Sequence, residues 1–161
     1  MYKIIVNCKL LINPLMKRLV QSFFLILAFL SYSCSSTEPP NLLPFVPVNI
    51  DINLDLPQYQ DLLIPGGVVY IQNEGIRGIY IYNLNNTIFK AYDAACPAID
   101  PFPEQACGKM SLEDGISLYC SCDEVYYSLL DGSPQGGDSL YFAKEYQVIS
   151  SGGNNLKVKN F

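Results

Sequence analysis

Short strand-like segments separated by turn residues fill the chain from about residue 48 to its C-terminus, and this pattern limits the possible folds more than any other feature. Between 48 and 55, Val, Ile and Leu alternate with Asn and Asp, the period of two that marks a half-buried β-strand. Similar runs recur about every ten residues, divided by turn sequences such as 65-PGG-67 and 151-SGGNN-155. No segment after residue 40 keeps a helical period. The sequence therefore predicts an all-β fold, a small antiparallel sandwich or barrel.

Seven or eight strands are predicted, together with two loops. The first strand lies within 41–59, where Pro44 and Pro47 favour a sheet edge or the start of a strand. The remaining predicted strands are 68–72, 76–83, 87–96, 117–120, 125–130, 145–150 and 156–160. Segments 97–115 and 131–139, which are rich in Pro or Gly, are predicted to be loops.

The N-terminal segment predicts export. From Met16, two basic residues precede twelve mostly apolar residues at 19–30, a length that suits a secretory signal and is too short to span a membrane. Residues 31-SYSC-34 resemble a relaxed lipobox, the recognition element of bacterial lipoproteins. This resemblance implies that Cys34 becomes the lipidated first residue of the mature protein. Ordinary cleavage near Ser33, which would leave a free thiol, is the alternative.

The chain is thus predicted to have three parts. They are an N-terminal extension with a lipoprotein signal peptide (1–33), a lipidated cysteine with its tether (34–44) and a β domain (45–161). Translation starts at either Met1 or Met16. The polar tether sequence 35-SSTEPP-40 resembles export signals of surface lipoproteins in the Bacteroidetes, which implies a location at the outer membrane or cell surface, with a periplasm-facing position as the alternative.

Export changes the charge balance of the chain. The full sequence has 10 basic and 15 acidic residues, and residues 1–33 contain four of the basic ones and none of the acidic ones. The mature chain therefore keeps six basic against fifteen acidic residues, a net charge of −9. An acidic domain without a basic stripe argues against nucleic acid as a partner and against electrostatic binding to anionic lipid. A diacylglycerol on Cys34 would instead connect the protein to a membrane.

Four cysteines remain in the predicted mature domain once Cys34 is set aside, and the chain has no histidine. The four are Cys96, Cys107, Cys120 and Cys122. An even number of cysteines in an exported chain is typical of disulfides, and four cysteines allow three pairings. Four thiolates are also enough to hold zinc or an iron–sulfur cluster. However, the C-x10-C…C-x-C arrangement is not a usual zinc-knuckle spacing.

Two cysteine-containing segments, 92-YDAACPA-98 and 120-CSCD-123, together with the later 127-YSLLDGSPQGG-137 and 146–160, resemble the Rieske family of iron–sulfur domains. The resemblance extends from about residue 67 to 160. Rieske domains are small antiparallel β folds with two loops of the form C-x-H and C-x-x-H. One iron of their 2Fe–2S cluster is held by two cysteines and the other by two histidines.

Carried over residue by residue, the resemblance leaves an incomplete ligand set. Cys96 and Cys120 keep a ligand identity, whereas Ala98 and Asp123 stand where histidines belong. Alanine has no ligand atom, and a carboxylate is an unusual hard ligand for this cluster. The resemblance therefore implies a Rieske-like fold that has lost its 2Fe–2S cluster, with neither a cofactor nor a metal expected.

The resemblance also implies a disulfide pairing. Many family members join their two loops through a second cysteine pair, which Cys107 and Cys122 match. The sulfurs that would share one iron, on Cys96 and Cys120, are neighbours in such a fold and can close into a disulfide. The expected bonds are Cys96–Cys120 and Cys107–Cys122, each contributing about 3 kcal/mol by closing a loop of about 15 to 25 residues.

The predicted function is that of an exported, membrane-anchored lipoprotein with a structural or binding role and an unidentified protein or glycan partner. No catalytic residue is predicted. The first alternative is an electron-transfer protein with a 2Fe–2S or other metal centre on the four remaining cysteines, an oxidoreductase-type role. The second is a small enzyme or ligand binder that uses the acidic loops. The acidic residues of these loops are Asp100, Glu104, Glu113, Asp114, Asp123 and Glu124.

Overall fold

A computed structural model of the protein describes residues 42–102, 106–137 and 139–161. The predicted signal peptide at 1–33, the predicted lipidation site Cys34 and the tether as far as residue 41 lie outside the described residues. Within the described ranges, no helix has both the length and the apolar character needed to cross a membrane.

Ten strands in two antiparallel sheets make up the described part of the chain. The first sheet has the strand order β1-β10-β9-β4-β3-β2, and the second has the order β5-β6-β7-β8. The strands are β1 (Asn49–Asn53), β2 (Val68–Ile71), β3 (Ile79–Asn83), β4 (Phe89–Asp93), β5 (Ser111–Glu113), β6 (Ser117–Cys120), β7 (Val125–Ser128), β8 (Pro134–Gln135), β9 (Glu145–Ser150) and β10 (Asn155–Lys159). Two short 3₁₀ helices, Pro57–Leu63 and Ala106–Gly108, complete the elements. The predicted fold class, an all-β antiparallel fold, is confirmed.

Strand β3 is buried on both of its faces. Successive side chains of a strand point to opposite faces of its sheet. Ile79 and Ile81 accordingly pack into one hydrophobic cluster, and Tyr80 and Tyr82 pack into another. The alternation of Ile and Tyr in 79-IYIY-82 thus divides the interior into two cores that share this strand.

The first of these, here called the sheet core, lies against strands β1, β9 and β10. Its buried members are Val48, Ile52, Leu54, Leu62, Ile79, Ile81, Ala91, Tyr146, Leu156 and Val158. The second, here called the loop core, lies against the second sheet. Its buried members are Tyr80, Tyr82, Tyr92, Ala94, Cys96, Met110, Leu118, Cys120, Val125, Tyr127, Leu129 and Ala143.

Strand β1 occupies an edge of the first sheet, as its prolines predicted, and pairs with β10 from Asn49↔Lys159 to Asn53↔Asn155. The predicted hairpin turn at 151–155 joins β9 to β10, with Gly152 and Gly153 at positive φ. Glycine adopts this backbone region without steric cost, which explains its use in the turn.

The structure differs from the sequence prediction at several elements. Strands β5 and β8 lie inside the segments 97–115 and 131–139 that were predicted to be loops, so the predicted number of strands was too low. Both strands are only two or three residues long, and all three residues of β5 are exposed, so no apolar alternation marked them. The 3₁₀ helix at 57–63 buries Leu62 alone and is too short to show a helical period.

Candidate functional site

Two disulfides connect the loops that the Rieske resemblance singled out. Cys96 is joined to Cys120, with 5.6 Å between the Cα atoms, and Cys107 is joined to Cys122, with 5.0 Å. Disulfides were predicted from the even number of cysteines, and the bonds follow the pairing that the resemblance implied. The two bonds are adjacent, because the Cys96 sulfur lies 3.3 Å from the carbonyl oxygen of Cys107.

The first loop is held by backbone hydrogen bonds on both sides of Cys96. The Cys96 N–H donates to the carbonyl of Gly108 (2.9 Å), and the Met110 N–H donates to the carbonyl of Ala94 (2.6 Å). An isolated antiparallel bridge between Ala95 and Lys109 lies between these two bonds. The two ends of the first loop are therefore hydrogen-bonded to each other, 94–96 with 108–110. This pairing fixes the position of Cys96.

The second loop is a tight β-turn between β6 and β7. Cys120 is the last residue of β6 and pairs with Val125, the first residue of β7. Cys122 lies in the intervening turn, where Glu124 adopts a positive φ of 57°. Because this left-handed region is uncommon outside glycine, it marks a residue whose backbone is constrained by its surroundings. Within this turn, Cys122 faces the first loop and forms its disulfide with Cys107.

Burial distinguishes the two disulfides. Cys96 and Cys120 are 1% and 0% exposed and belong to the loop core, where Met110, Leu118 and Tyr127 are also buried. Cys107 is only half-buried, and Cys122 packs at the margin of the same core. The first disulfide is therefore protected from solvent, whereas the second lies close to the surface.

Neither residue in a histidine position behaves as a replacement ligand. Ala98 is half-buried and carries no donor atom. The Asp123 carboxylate accepts hydrogen bonds from the Tyr127 hydroxyl (3.2 Å) and from the Val125 N–H (3.3 Å). Both contacts lie within the second loop and its following strand. Asp123 thus stabilises the turn in which it sits.

Tyr127 connects this turn to the segment that follows β8. Its hydroxyl is also 3.2 Å from the Ser139 hydroxyl. Burial raises the pKa of Tyr127 to about 12, and the negative charge of Asp123 adds to the effect while the Ser139 hydroxyl opposes it. The phenol therefore stays protonated at physiological pH and can donate its hydrogen bond to Asp123.

The acidic residues of the loops do not converge. In the ranges that the structure describes, no group of three or more His, Cys, Asp or Glu side chains is placed to hold a metal ion. Of the predicted acidic set, Asp100, Glu113, Asp114 and Glu124 are exposed, and Asp123 is half-buried as described above. Glu104 lies outside the described residues.

Sequence reasoning missed a buried carboxylate beside the first loop. Asp93 ends β4 three residues before Cys96 and is fully buried. It accepts hydrogen bonds from the Ala95 and Ile76 N–H groups (2.8 and 2.7 Å) and from the Tyr146 hydroxyl (2.7 Å). A strand-terminal Asp followed by two small residues was the available signal, but no local pattern indicated its distant partners.

Comparisons with known proteins found structural likeness only. No family model matches the chain, and no curated protein matches it. One similar solved structure is the ferredoxin of carbazole 1,9a-dioxygenase from Nocardioides aromaticivorans IC177, with 14% identity and a TM-score of 0.44. The match covers 73% of this chain and 100% of that one.

Two further solved chains are described as small subunits of nitrite reductases. An NADH-dependent one from Mycobacterium tuberculosis has 18% identity and a TM-score of 0.42, and the match covers 73% of this chain and 98% of that one. An NADPH-type one has 14% identity and a TM-score of 0.39, with 69% of this chain and 97% of that one covered. At these scores the likeness carries no information about activity. What this chain does must therefore be inferred from its own residues.

Proposed function

We propose that this chain is an exported, lipid-anchored protein whose Rieske-like domain holds two disulfides in place of a 2Fe–2S cluster and has a structural or binding role. Lipidation of Cys34 would attach it to the outer membrane or cell surface, and residues 35–44 would serve as the tether. The lipobox-like sequence 31-SYSC-34 supports the anchor. The net charge of −9 after residue 33 argues that lipid, and not electrostatic attraction, would hold the protein at the membrane.

The single observation that carries this proposal is the buried Cys96–Cys120 bond. These are the two cysteines that would bind one iron of a Rieske cluster, and both are consumed by the disulfide. A metal requires the deprotonated thiolate, which a disulfide does not offer. The bond lies in the hydrophobic loop core, so it is also shielded from reductants.

The cross-links would give the two loops the rigidity that a cluster provides elsewhere. Their sequence separations of 24 and 15 residues correspond to about 3 kcal/mol each in the chain-entropy estimate. A surface that is rigid before binding loses less conformational entropy when a partner arrives. Disulfide-fixed loops are therefore suited to a binding role that needs no redox chemistry.

The anchor part of the proposal can be tested in a bacterial host that processes lipoproteins. The full chain and a Cys34→Ala variant would be expressed, the membranes separated, and the mature N-terminal peptide analysed by mass spectrometry. We expect the natural chain in the membrane fraction with a diacylglycerol-modified Cys34, and the variant released from it. An unmodified N-terminal peptide, or equal membrane association of both proteins, would contradict the anchor.

The cluster part can be tested by visible absorption of the same protein purified without oxygen. We expect no absorption band beyond the ultraviolet, because disulfides and tyrosines do not absorb visible light. A visible band that bleaches on reduction would support the electron-transfer alternative and would contradict the proposed function.

A further inference from the structure

Two segments without an acidic residue meet at the start of the described chain. The first, 42-LLPFVPV-48, is apolar throughout, and the second, 139-SLYFAK-144, leads into β9 with one lysine as its only charged residue. The Lys144 ammonium donates to the Pro44 carbonyl (3.1 Å) and so connects the two segments. Because fifteen acidic residues follow residue 33, two adjacent segments without any form a distinct region of the surface.

Hydrogen bonds hold both segments on the body of the domain. The Asn160 side-chain amide accepts the Val48 N–H (2.6 Å) and donates to the Val46 carbonyl (3.1 Å). In the second segment, the Ala143 N–H donates to the Gly132 carbonyl (2.9 Å). The side chains of Val48 and Ala143 are buried. The backbone of both segments is therefore fixed, and the side chains that they expose form a surface that exists before any contact.

Each segment exposes large apolar side chains. Leu42 and Phe45 are 55% and 72% exposed, and Leu140 and Phe142 are 77% and 38% exposed. These four residues are here called the apolar face. Apolar side chains that are exposed singly are normal on a protein surface, whereas a group of them with a polar rim marks a contact surface. Four such side chains on two connected segments therefore indicate a contact surface.

The proposed anchor indicates what the apolar face contacts. Only residues 35–41 separate Cys34 from Leu42, the first residue of the face. An extended chain spans at most about 3.6 Å per residue, so Leu42 lies within about 29 Å of a lipidated Cys34. A domain of about 120 residues is about 35 Å across, which is more than this reach. A short linker also gives an effective concentration on the order of mM, so weak contacts with the bilayer suffice.

The charges around the apolar face are compatible with a lipid surface. Two carboxylates border it, and they are bonded within the domain: Asp131 to the Ser133 hydroxyl (2.7 Å) and Glu145 to the Lys90 ammonium (2.7 Å). The chain after residue 33 has a net charge of −9, which lipid phosphates repel. The acid-free segments are therefore the part of the surface that approaches a bilayer at the lowest electrostatic cost.

We propose that the apolar face docks on the bilayer that holds the lipid of Cys34, with its leucine and phenylalanine side chains in the boundary between headgroups and acyl chains. The inference rests on the proposed lipid anchor and adds a second, protein-mediated contact to it. Side chains that enter this boundary reach about 5 to 10 Å into it. Docking would fix the orientation of the domain, because the hairpin turn at 151–155 lies at the far end of β9 from Lys144.

A single tryptophan can report the docking, because the natural chain contains no tryptophan. The full chain with Phe45→Trp would be expressed in a bacterial host that lipidates it, and the lipidated protein would be reconstituted into phosphatidylcholine vesicles. Lipids that carry bromine on the acyl chain near the headgroup quench a tryptophan that enters the boundary. We expect a blue shift of the Phe45→Trp emission and its loss in brominated vesicles.

Ile64→Trp is the matched control. Ile64 is 66% exposed, close to the exposure of Phe45. Two residues later, the Gly66 N–H donates to the carbonyl of Asn83, which ends β3. That end of the first sheet is opposite to Lys144, because β3 and β4 are antiparallel and the carbonyl of Lys144 accepts the N–H of Asp93, the last residue of β4. Its emission should be the same with and without bromine.

Two results of this comparison would overturn the proposal. Equal quenching of Phe45→Trp and Ile64→Trp would show that the domain contacts lipid without a preferred face. Absence of quenching in Phe45→Trp would show that the face does not reach the bilayer. A blue shift without quenching belongs to the second result, since it would place another protein or a second copy of this chain on the face.

An acidic substitution tests whether the two segments act together. In the Phe45→Trp chain, Leu140→Asp should lower the ratio of docked to undocked domain at least about tenfold, the size expected when one large apolar side chain is no longer buried. Ile64→Asp is the matched substitution outside the face and should leave quenching unchanged. Thermal unfolding would verify that both variants are folded. Undiminished quenching in Leu140→Asp would overturn the apolar face as the docking surface.

Failure of this proposal can be told apart from failure of the proposed function. Mass spectrometry of the N-terminal peptide from the same samples shows whether Cys34 carries lipid. A lipidated Cys34 without quenching of Phe45→Trp refutes the docking and leaves the anchor intact. An unmodified Cys34 refutes the anchor, and with it the docking that is argued from the short tether.

Discussion

The two cores of the molecule are held together by different means. The sheet core lies under strands of five or six residues, β1, β9 and β10, and contains no cysteine. The loop core lies under strands of two to four residues, β5 to β8, and contains the Cys96–Cys120 disulfide with Cys122 at its margin. The disulfides therefore occur in the part of the described fold that has the shortest β-strands.

Conformational entropy explains this division. Ordering each residue costs about 1 to 2 kcal/mol, which a long strand offsets through hydrogen bonds to its neighbours and burial of one face. The short strands and long connections of the loop core provide fewer such contacts per ordered residue. A disulfide reduces the entropy of the unfolded chain instead, so it stabilises without needing more pairing. The loop core therefore depends on an additional constraint, which the two disulfides supply.

The largest effect should come from removing the buried cross-link. Cys96→Ala with Cys120→Ala should lower the free energy of unfolding by about 3 to 5 kcal/mol, because loop entropy is regained and a cavity is left in the loop core. Denaturant unfolding measures this loss. The control is Cys107→Ala with Cys122→Ala, which removes a bond of similar loop length near the surface.

That control should lose less, about 2 to 3 kcal/mol, since the entropy contributions of the two bonds differ by only a few tenths of a kcal/mol. Burial would then account for the remaining difference between the pairs. Equal losses of unfolding free energy in both variants would show that burial of the Cys96–Cys120 disulfide adds nothing to its stabilising effect.

A cavity in the sheet core should behave independently of the cross-links. Ile52 on β1 is 1% exposed, and Ile52→Ala should lower the free energy of unfolding by about 2 to 4 kcal/mol. The same loss is expected in the background that lacks Cys107 and Cys122, because distant sites without shared partners are additive. A change in the loss of more than about 1 kcal/mol between the two backgrounds would mean that the two cores are coupled.

Graded reduction should separate the two disulfides. The half-buried Cys107–Cys122 bond should open at lower concentrations of a thiol reductant than the buried Cys96–Cys120 bond, because exchange requires access to the sulfur. Alkylation and peptide mapping at each concentration would show the order. Simultaneous opening of both bonds would indicate that reduction follows global unfolding of the loop core.

The smallest effect concerns the loop before β8. The Ser133 hydroxyl and N–H both donate to the Asp131 carboxylate (2.7 and 3.1 Å), and these bonds lower the Asp131 pKa. The stability from this contact should be present above the ordinary Asp pKa near 3.9 and should disappear as pH falls through the lowered value.

Ser133→Ala should therefore reduce stability at neutral pH by no more than a few tenths of a kcal/mol, since Asp131 is exposed and its charge is screened by water. The difference between variant and natural chain should vanish in acid. Thermal unfolding at neutral and acid pH would measure it, and a difference that grows as pH falls would contradict the assignment.

The parts of the fold that follow from local pattern were predictable from the sequence. Apolar alternation and turn residues placed β9, β10 and the hairpin between them, and the β-branched and aromatic run at 79–82 marked β3. The strand predicted at 76–83 begins only at Ile79, because Ile76 and Arg77 donate their N–H groups to the side chain of Asp93 and not to a backbone carbonyl of a neighbouring strand. A bond between residues so far apart leaves no periodic signal.

The candidate site was predictable to a lesser extent. The cysteine count predicts disulfides, but four cysteines allow three pairings, and only the Rieske resemblance selected one of them. The buried Asp93 carboxylate was not predicted, because its partners Ile76 and Tyr146 lie 17 and 53 residues away and meet it only in the folded sheet.

Iron content measured together with the state of each cysteine tests the central claim most directly. The full chain would be purified without oxygen or added reductant, analysed for iron and acid-labile sulfide, then alkylated and mapped by mass spectrometry. We predict negligible iron and two linked peptide pairs, Cys96 with Cys120 and Cys107 with Cys122. Two irons per chain with Cys96 and Cys120 recovered as alkylated thiols would contradict the account.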